Sequence, residues 1–329
     1  MVTIKDVAKY ANVSIATVSR ALNKDDNKVK PETREKVLHA VKELGFYPNA
    51  IARSLHHKKT KMIGLIIQDI SNPYYPRIVR GVEDAAQKHG YTVVLANVYR
   101  SRQRTQNYLK IFREKRLDGV IICGGGIVKN AEQDNFFKEN IMSTVVIGKP
   151  LVDDLHSVQV NNFLAAKDAC EYLINCGHKK IVTITGPKES TTANDRLEGY
   201  KAALMKYGIE PKEEWIIQGD FQYESGYNAI DYFPGIGKDK ITAVFSQNDV
   251  MAIGVIKALR ERGFEIPKDI SVIGFDDTLF TASHGLSSVA VPVYDLGKTA
   301  MTILADLLAG NDVPLITTLP TKLIIRETC

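Results

Sequence analysis

Two groups of residues in this chain have types and spacings that could do chemistry. The first lies near the start, where Ala16, Thr17, Ser19 and Arg20 fall on the outer side of a candidate helix, Ile15–Leu22. A guanidinium such as Arg20 presents parallel N–H donors that match guanine O6 and N7, and the methyls of Ala16 and Thr17 suit thymine. Thr3, Ser14 and Asn23 are short and polar, suited to phosphate contacts that fix register without specifying sequence. Ile15 reads two ways: it faces outward with Ala16, or it joins Val18 and Leu22 in an apolar stripe. The second group, Arg196, Asn248 and Asp276, follows stretches that read as strands, where open parallel sheets present ligands. Asp276 can accept two hydroxyls of a sugar. Arg196, expected to open a helix, can donate a bidentate pair to vicinal oxygens, and Asn248 both donates and accepts. Tyr75 and Phe221 supply faces for an apolar ring. Caps, turns, a surface ion pair and core aromatics are the plainer uses of the same residues.

Nothing of comparable specificity points to catalysis. Gly124-Gly125-Gly126 follows a candidate strand, but no GxGxxG or P-loop lysine accompanies it. His56, His57 and His178 lack metal spacing, and no nucleophile elbow occurs. Cys123, Cys170, Cys176 and Cys329 are scattered without a CxxC pair, which suits free thiols in a reducing cytosol. The expectation is therefore a non-enzyme that needs no metal and no cofactor.

The elements that must position these residues change character along the chain. Residues 1–60 read as short helices: an Ile4, Val7, Ala8, Ala11 stripe capped by Thr3, a break at Asn12-Val13-Ser14, and then Ile15–Leu22. After a polar loop, Asn23–Lys30, Pro31 opens a helix in which Val37, Leu38, Val41 and Leu44 recur until Gly45. Ala8 allows close approach, Asn12 tolerates a left-handed turn and Val18 gives the apolar contact, the spacing of a helix-turn-helix whose second helix enters the DNA major groove. From Lys61 onward, apolar strands alternate with amphipathic helices. Candidate strands are 62–67, 92–96, 119–123, 144–147, 180–184, 215–218, 243–246 and 271–274; candidate helices are 76–89, 162–175, 195–207 and 250–262. Buried Val/Ile runs separated by helices indicate parallel sheets covered on both faces, and this length favours two α/β subdomains over one.

Charge follows the same division. The 329 residues carry a net +5; residues 1–60 hold 12 of the 43 basic and 6 of the 38 acidic residues, a net of +6 that leaves −1 for the remainder. Nucleic acid and a membrane surface are both open to such a segment on charge alone. The helix-turn-helix favours DNA over a membrane and over a small helical docking module. No apolar run approaches the roughly 18 residues of a membrane span, and the N-terminus lacks a secretory h-region, so a cytoplasmic location is expected.

The stretches TIKDVAKYANVSIATVSRALN and VKPETREKVLHAVKELGFYPNAIARSL closely resemble the headpiece of the LacI/GalR family of bacterial transcription regulators over residues 2–56. Behind them DISNPYY, LDGVIICG, GHKKIVTITGP, DRLEGYKAAL, SQNDVMAIG, ISVIGFDD and PVYDLGKTAM resemble, in order, the periplasmic-binding-protein-like core of that family. The fold class implied is α/β: an all-α headpiece on a core of two doubly wound parallel-sheet subdomains. The domains implied are a headpiece at 1–46, a hinge helix and linker at 47–60, and a core at 61–329. The N-subdomain takes 61–161 and 291–321, and the C-subdomain 162–290 and 322–329.

The resemblance also implies a homodimeric regulator, a repressor in the main, on a pseudo-palindromic double-stranded operator. Residues 49–56 are too short for an isolated stable helix, so this stretch should order only with DNA and a partner chain. In the family such a hinge helix wedges open a base step in the minor groove. The matching wedge is Leu55, with Ala52 allowing close approach, Arg53 beside the backbone, and Asn49 and His56 at the ends of the stretch. Tyr75, Arg196, Phe221, Asn248 and Asp276 fall on family effector positions, and so does Asp69. Lys149 departs from the family's usual carboxylate or arginine; it suits either an anionic group or a hydroxyl. A small carbohydrate is the effector expected. Two alternatives stand beside this reading: a regulator triggered by a phosphorylated carrier protein, and a solute-binding protein, which the headpiece and the missing export signal disfavour.

Overall fold

A computed structural model describes residues 2–22, 29–46, 59–124, 142–150, 154–236 and 240–329. The chain forms two compact units, Met1–Thr60 and Lys61–Cys329.

In the first unit, α1 (Ile4–Tyr10), α2 (Ile15–Leu22) and α3 (Pro31–Glu43) close on a small core of Val7, Ala8, Val18, Ala21, Val37 and Ala40. Asn12 takes φ 52, the left-handed turn its side chain tolerates, and lets α2 leave α1 sharply. Pro31 stands at the first turn of α3, where its missing N–H has no helical partner to lose. Leu38 does not join the α3 stripe as expected. Val37 and Ala40 face inward, so Leu38, about 100° further round the helix, is left 49% exposed.

Among the described residues the second unit holds two six-stranded sheets. The first lobe contains β1 (Met62–Ile67), β2 (Thr92–Asn97), β3 (Gly119–Cys123), β4 (Ser143–Ile147), β5 (His156–Val160) and β11 (Ile316–Leu319), in the order β11-β5-β4-β3-β1-β2, all parallel. The second lobe contains β6 (Ile181–Thr185), β7 (Ile216–Gln218), β8 (Ala243–Ser246), β9 (Ser271–Asp276), β10 (Ser287–Ala290) and β12 (Lys322–Ile324), in the order β12-β10-β9-β8-β6-β7. Only β12 runs antiparallel to its neighbour there. The chain passes between the sheets three times: after β5, after β10 and after β11. The fold class is the one expected from the sequence.

Helices α4 (Tyr74–Lys88), α5 (Arg102–Glu114) and α10 (Val293–Ala309) cover the first sheet. The second is covered by α6 (Asn162–Asn175), α7 (Thr191–Lys206), α8 (Tyr223–Asn228) and α9 (Asp249–Glu261). Strands β1, β3, β6, β8 and β9 are buried along nearly their whole length, as parallel strands covered on both faces must be. Helices α4 and α10 touch backbone to backbone: a Cβ on Gly81 would lie 2.1 Å from the Tyr294 carbonyl oxygen. Any side chain at that position would push them apart.

Candidate nucleic-acid interface and ligand cleft

Helix α2 buries Val18 and Ala21 and turns Ile15, Ala16, Ser19 and Arg20 outward, with Thr17 half-buried beside them. Ile15 is 45% exposed, which resolves its two readings in favour of the surface. The Ser14 hydroxyl accepts the Thr17 N–H at 3.1 Å and so caps the helix. Thr3 donates its N–H and its hydroxyl to the Asp6 carboxylate at 2.8 and 2.7 Å, and these bonds hold the Asp6 pKa below its ordinary value. Arg34 Nη1 donates to the Ala21 carbonyl at 3.1 Å, tying α3 to the end of α2. The result is a rigid helix displaying small, polar and basic side chains along one exposed edge, which a major groove can admit.

In the larger unit the carboxyl ends of both sheets border a cleft of about 340 Å³, within the range of small-ligand sites. Arg196 enters it from the second turn of α7, not from the helix start as expected, because Ser190 caps the helix six residues earlier. The residue is 4% exposed, and its guanidinium carbon lies 3.6 Å from the centre of the Phe275 ring. Nε donates to Asn162 Oδ1 at 2.9 Å, Nη2 to Asp276 Oδ1 at 3.4 Å, and Nη1 to the Gln247 carbonyl. A guanidinium has five N–H groups, so two remain for a ligand.

Asp276 ends β9 with φ 109 and Asp277 follows at φ 51, so the chain turns left-handed just as the carboxylate reaches the cleft. Burial pushes the Asp276 pKa up to about 7, against the opposing pull of Arg196. Asn248 caps α9: its Oδ1 accepts the Met251 N–H at 3.0 Å, while its Nδ2 donates to the Phe221 carbonyl at 3.0 Å. Phe221 takes φ 68 and lays its ring on Gly186, where a Cβ would stand 2.0 Å from the ring. From the first lobe Tyr75 meets Tyr74 edge-on at 5.3 Å, and burial keeps both phenols neutral. Arg100 crosses the cleft to donate to the Asp220 carbonyl at 2.8 Å, its guanidinium 5.4 Å from the Phe221 ring.

Comparison with known proteins matches both units. Residues 3–49 match the family model of bacterial regulatory proteins, lacI family, and residues 170–329 that of the periplasmic binding protein-like domain. Catabolite control protein A of Priestia megaterium is 38% identical over 307 residues, covering 92% of this chain and 91% of that protein. The chain belongs to the LacI family of bacterial regulatory proteins.

Among solved structures, the lac repressor dimer bound to operator and the anti-inducer ONPF superposes with a TM-score of 0.88 at 28% identity, covering 99% of this chain and 98% of that one. A transcriptional regulator CelR–cellobiose complex gives 0.74 at 30% identity, with both chains fully covered. As a LacI-family member the chain is a DNA-binding transcription regulator. No helix among the described residues is long and apolar enough to cross a membrane.

Five of the seven cleft residues read from the sequence line one cavity: Tyr75, Arg196, Phe221, Asn248 and Asp276. Asp69 stands apart, its Oδ1 accepting the N–H and hydroxyl of Ser71 at 3.0 and 2.7 Å in a local turn. Lys149 sits exposed outside the lining, its ammonium 3.3 Å from Asp195 of the second lobe. Asn23, Asn49, Ala52, Arg53, Leu55 and His56 lie outside the described residues. The sequence reading missed Gln68, Tyr74, Arg100, Asn162 and Glu189, which also line the cleft. Asn162 opens the helix directly after β5, a strand too short and mixed to be read from the sequence.

Proposed function

We propose that this LacI-family protein represses transcription as a homodimer on a pseudo-palindromic operator and answers to a small neutral carbohydrate in the cleft of its core. The buried Arg196–Asp276 pair with Asn248 beside it carries the reading. It presents donors and acceptors at fixed positions in a cavity of ligand size that the rings of Tyr75 and Phe221 also line. Charges lining the cleft balance, Arg100 and Arg196 against Glu189 and Asp276, and Lys149 is already neutralised by Asp195. A polyhydroxyl ligand fits this lining better than a sugar phosphate or a sugar acid. The lac repressor and cellobiose-bound relatives support dimer, operator and sugar alike.

On DNA, Arg20, Ala16, Thr17, Ser19 and Ile15 of α2 meet base edges, while Thr3, Ser14 and Asn23 meet phosphates. Asn49, Ala52, Arg53, Leu55 and His56 complete the contact at the centre of the operator. Sugar binding in the cleft changes operator affinity by its differential affinity for the two core states and by no more. Such a regulator works in the cytoplasm and catalyses nothing.

The test is a thermal-shift screen of the full chain against neutral sugars, sugar phosphates, sugar acids and nucleobases, joined to gel-shift titration on an operator selected from random duplexes. A neutral sugar that raises the unfolding midpoint and moves operator affinity supports the reading; a response confined to phosphates or acids overturns the neutral assignment. Leu55→Ala should weaken operator binding and leave sugar binding intact, and unchanged operator affinity removes the wedge. The likeness to catabolite control protein A favours a second reading, in which a phosphorylated carrier protein is the trigger. Sugar control of operator affinity without any carrier counts against it.

A further inference from the structure

Directly after cleft-facing Asn248 comes Asp249, a fully buried carboxylate for which effector contact has no use. It is not needed as a helix cap either, since Asn248 already caps α9. Its hydrogen bonds run instead to the segment that follows β9. Oδ2 accepts the Thr278 N–H at 2.7 Å, and Oδ1 accepts the Ser288 hydroxyl at 2.6 Å. Ser288 Oγ in turn accepts the Asp277 N–H at 3.2 Å. Two consecutive backbone N–H groups beyond Asp276 thus end on one carboxylate, one directly and one through a single hydroxyl. The same turn carries the two left-handed aspartates: Asp277 at φ 51 lies where aspartate is tolerated, but Asp276 at φ 109 lies where a side chain persists only when its surroundings hold it. The approach is close: a Cβ on Gly274 would lie 2.5 Å from Asp249 Oδ1.

We propose that Asp249 is a positioning residue for effector recognition: from beneath the cleft it fixes the Asp276–Asp277–Thr278 turn and so aims the Asp276 carboxylate at the ligand and at Arg196. The proposal rests on the cleft being the effector site. Without the carboxylate the turn can relax toward ordinary right-handed backbone, and the Asp276 side chain leaves its position. Asn248 and Asp249 then divide the work, one facing the cleft and the other bracing its far wall.

Full-length protein is titrated calorimetrically with D-glucose, D-ribose and cellobiose, and the sugar bound best by the unaltered chain is carried into Asp249→Ala, Asp249→Asn and Ser288→Ala. Asp249→Ala should raise its Kd by about 30-fold or more and Ser288→Ala by about threefold. Asp249→Asn should fall between them, because one amide oxygen still accepts the Thr278 N–H. Sugar-free operator affinity of the Asn and Ser288 variants should stay within about twofold of the unaltered chain. Should Asp249→Ala fail to fold, the graded order of the other two decides. Sugar affinity unchanged in every variant that folds overturns the proposal, as does a loss of sugar and operator affinity in parallel, which would mark Asp249 as structural. If the unaltered chain binds none of the three sugars, the effector reading fails and the proposal falls with it.

Discussion

The two walls of the cleft are built on opposite plans. The second-lobe wall is polar, buried and bonded within itself: Arg196, Asn248 and Asp276 each commit part of their hydrogen-bonding capacity to protein and keep part for the cleft. The first-lobe wall mixes the half-buried rings of Tyr74 and Tyr75, set by packing, with Gln68 and Arg100, while the second lobe adds one ring of its own, Phe221. Groups already held in their bound geometry lose little entropy when a ligand arrives, so under the proposed function the second lobe is the wall that would recognise it. Aromatic faces offer area without strict direction, which suits the wall that closes.

Arg196→Ala should break that comparison most severely. It strands a buried carboxylate, and removing one member of a buried ion pair costs about 3–5 kcal/mol. The unfolding midpoint should drop and the sugar response vanish, with sugar-free operator affinity retained; a surviving response in gel-shift titration takes Arg196 out of the recognising wall. Protonation of Asp276 should act next. Hydroxyls donate to the ionised carboxylate, so sugar affinity should weaken as acid protonates the buried Asp276–Asp249 pair, whose carboxyls both titrate high, and Asp276→Asn should reduce that dependence. Stability runs the other way. A carboxyl whose pKa is raised in the folded state favours the folded chain at low pH, and that contribution is lost as pH climbs through about 7. Calorimetry showing one affinity at pH 6, 7 and 8 would separate Asp276 from the ligand.

Smaller effects test the first lobe. Tyr75→Ala should cost about tenfold in sugar affinity and Tyr75→Phe almost nothing, because the ring face matters more than the hydroxyl. A loss larger than that of Arg196→Ala would reverse the roles of the walls. The smallest effect belongs to Lys149→Ala. Its ion pair with Asp195 is exposed, so about 1 kcal/mol or less is at stake, and that should vanish in high salt.

Strongly periodic stretches were legible in the sequence, and short or mixed ones were not. Met62–Ile67 and Gly119–Cys123 announce themselves as unbroken apolar runs between helices. Strand β5, HSVQV, alternates over only five residues, and β10, SSVA, buries two serines, Ser287 bonded to Thr328 and Arg326 near the chain terminus and Ser288 bonded to Asp249. Nothing local marks either as a strand. Helix α5 escaped because its sequence is mostly charged and polar, with only Thr105, Leu109 and Phe112 buried. Of the candidate site, residues that follow strong strands were found. Gln68 and Asn162 needed the sheet partners and the fold before they could be placed. Arg100 becomes a cleft residue only through a contact 120 positions away in the chain.

The three passages of the chain between the sheets bear on how the core comes apart. One buried apolar cluster runs through both lobes, from Ile63 and Val145 to Phe245 and Leu304. With the termini of each lobe interleaved, a single proteolytic nick frees neither half, since two connections still hold. The lobes should therefore melt as one cooperative block, and a calorimetric trace of the core should show one transition where two sheets alone would suggest two.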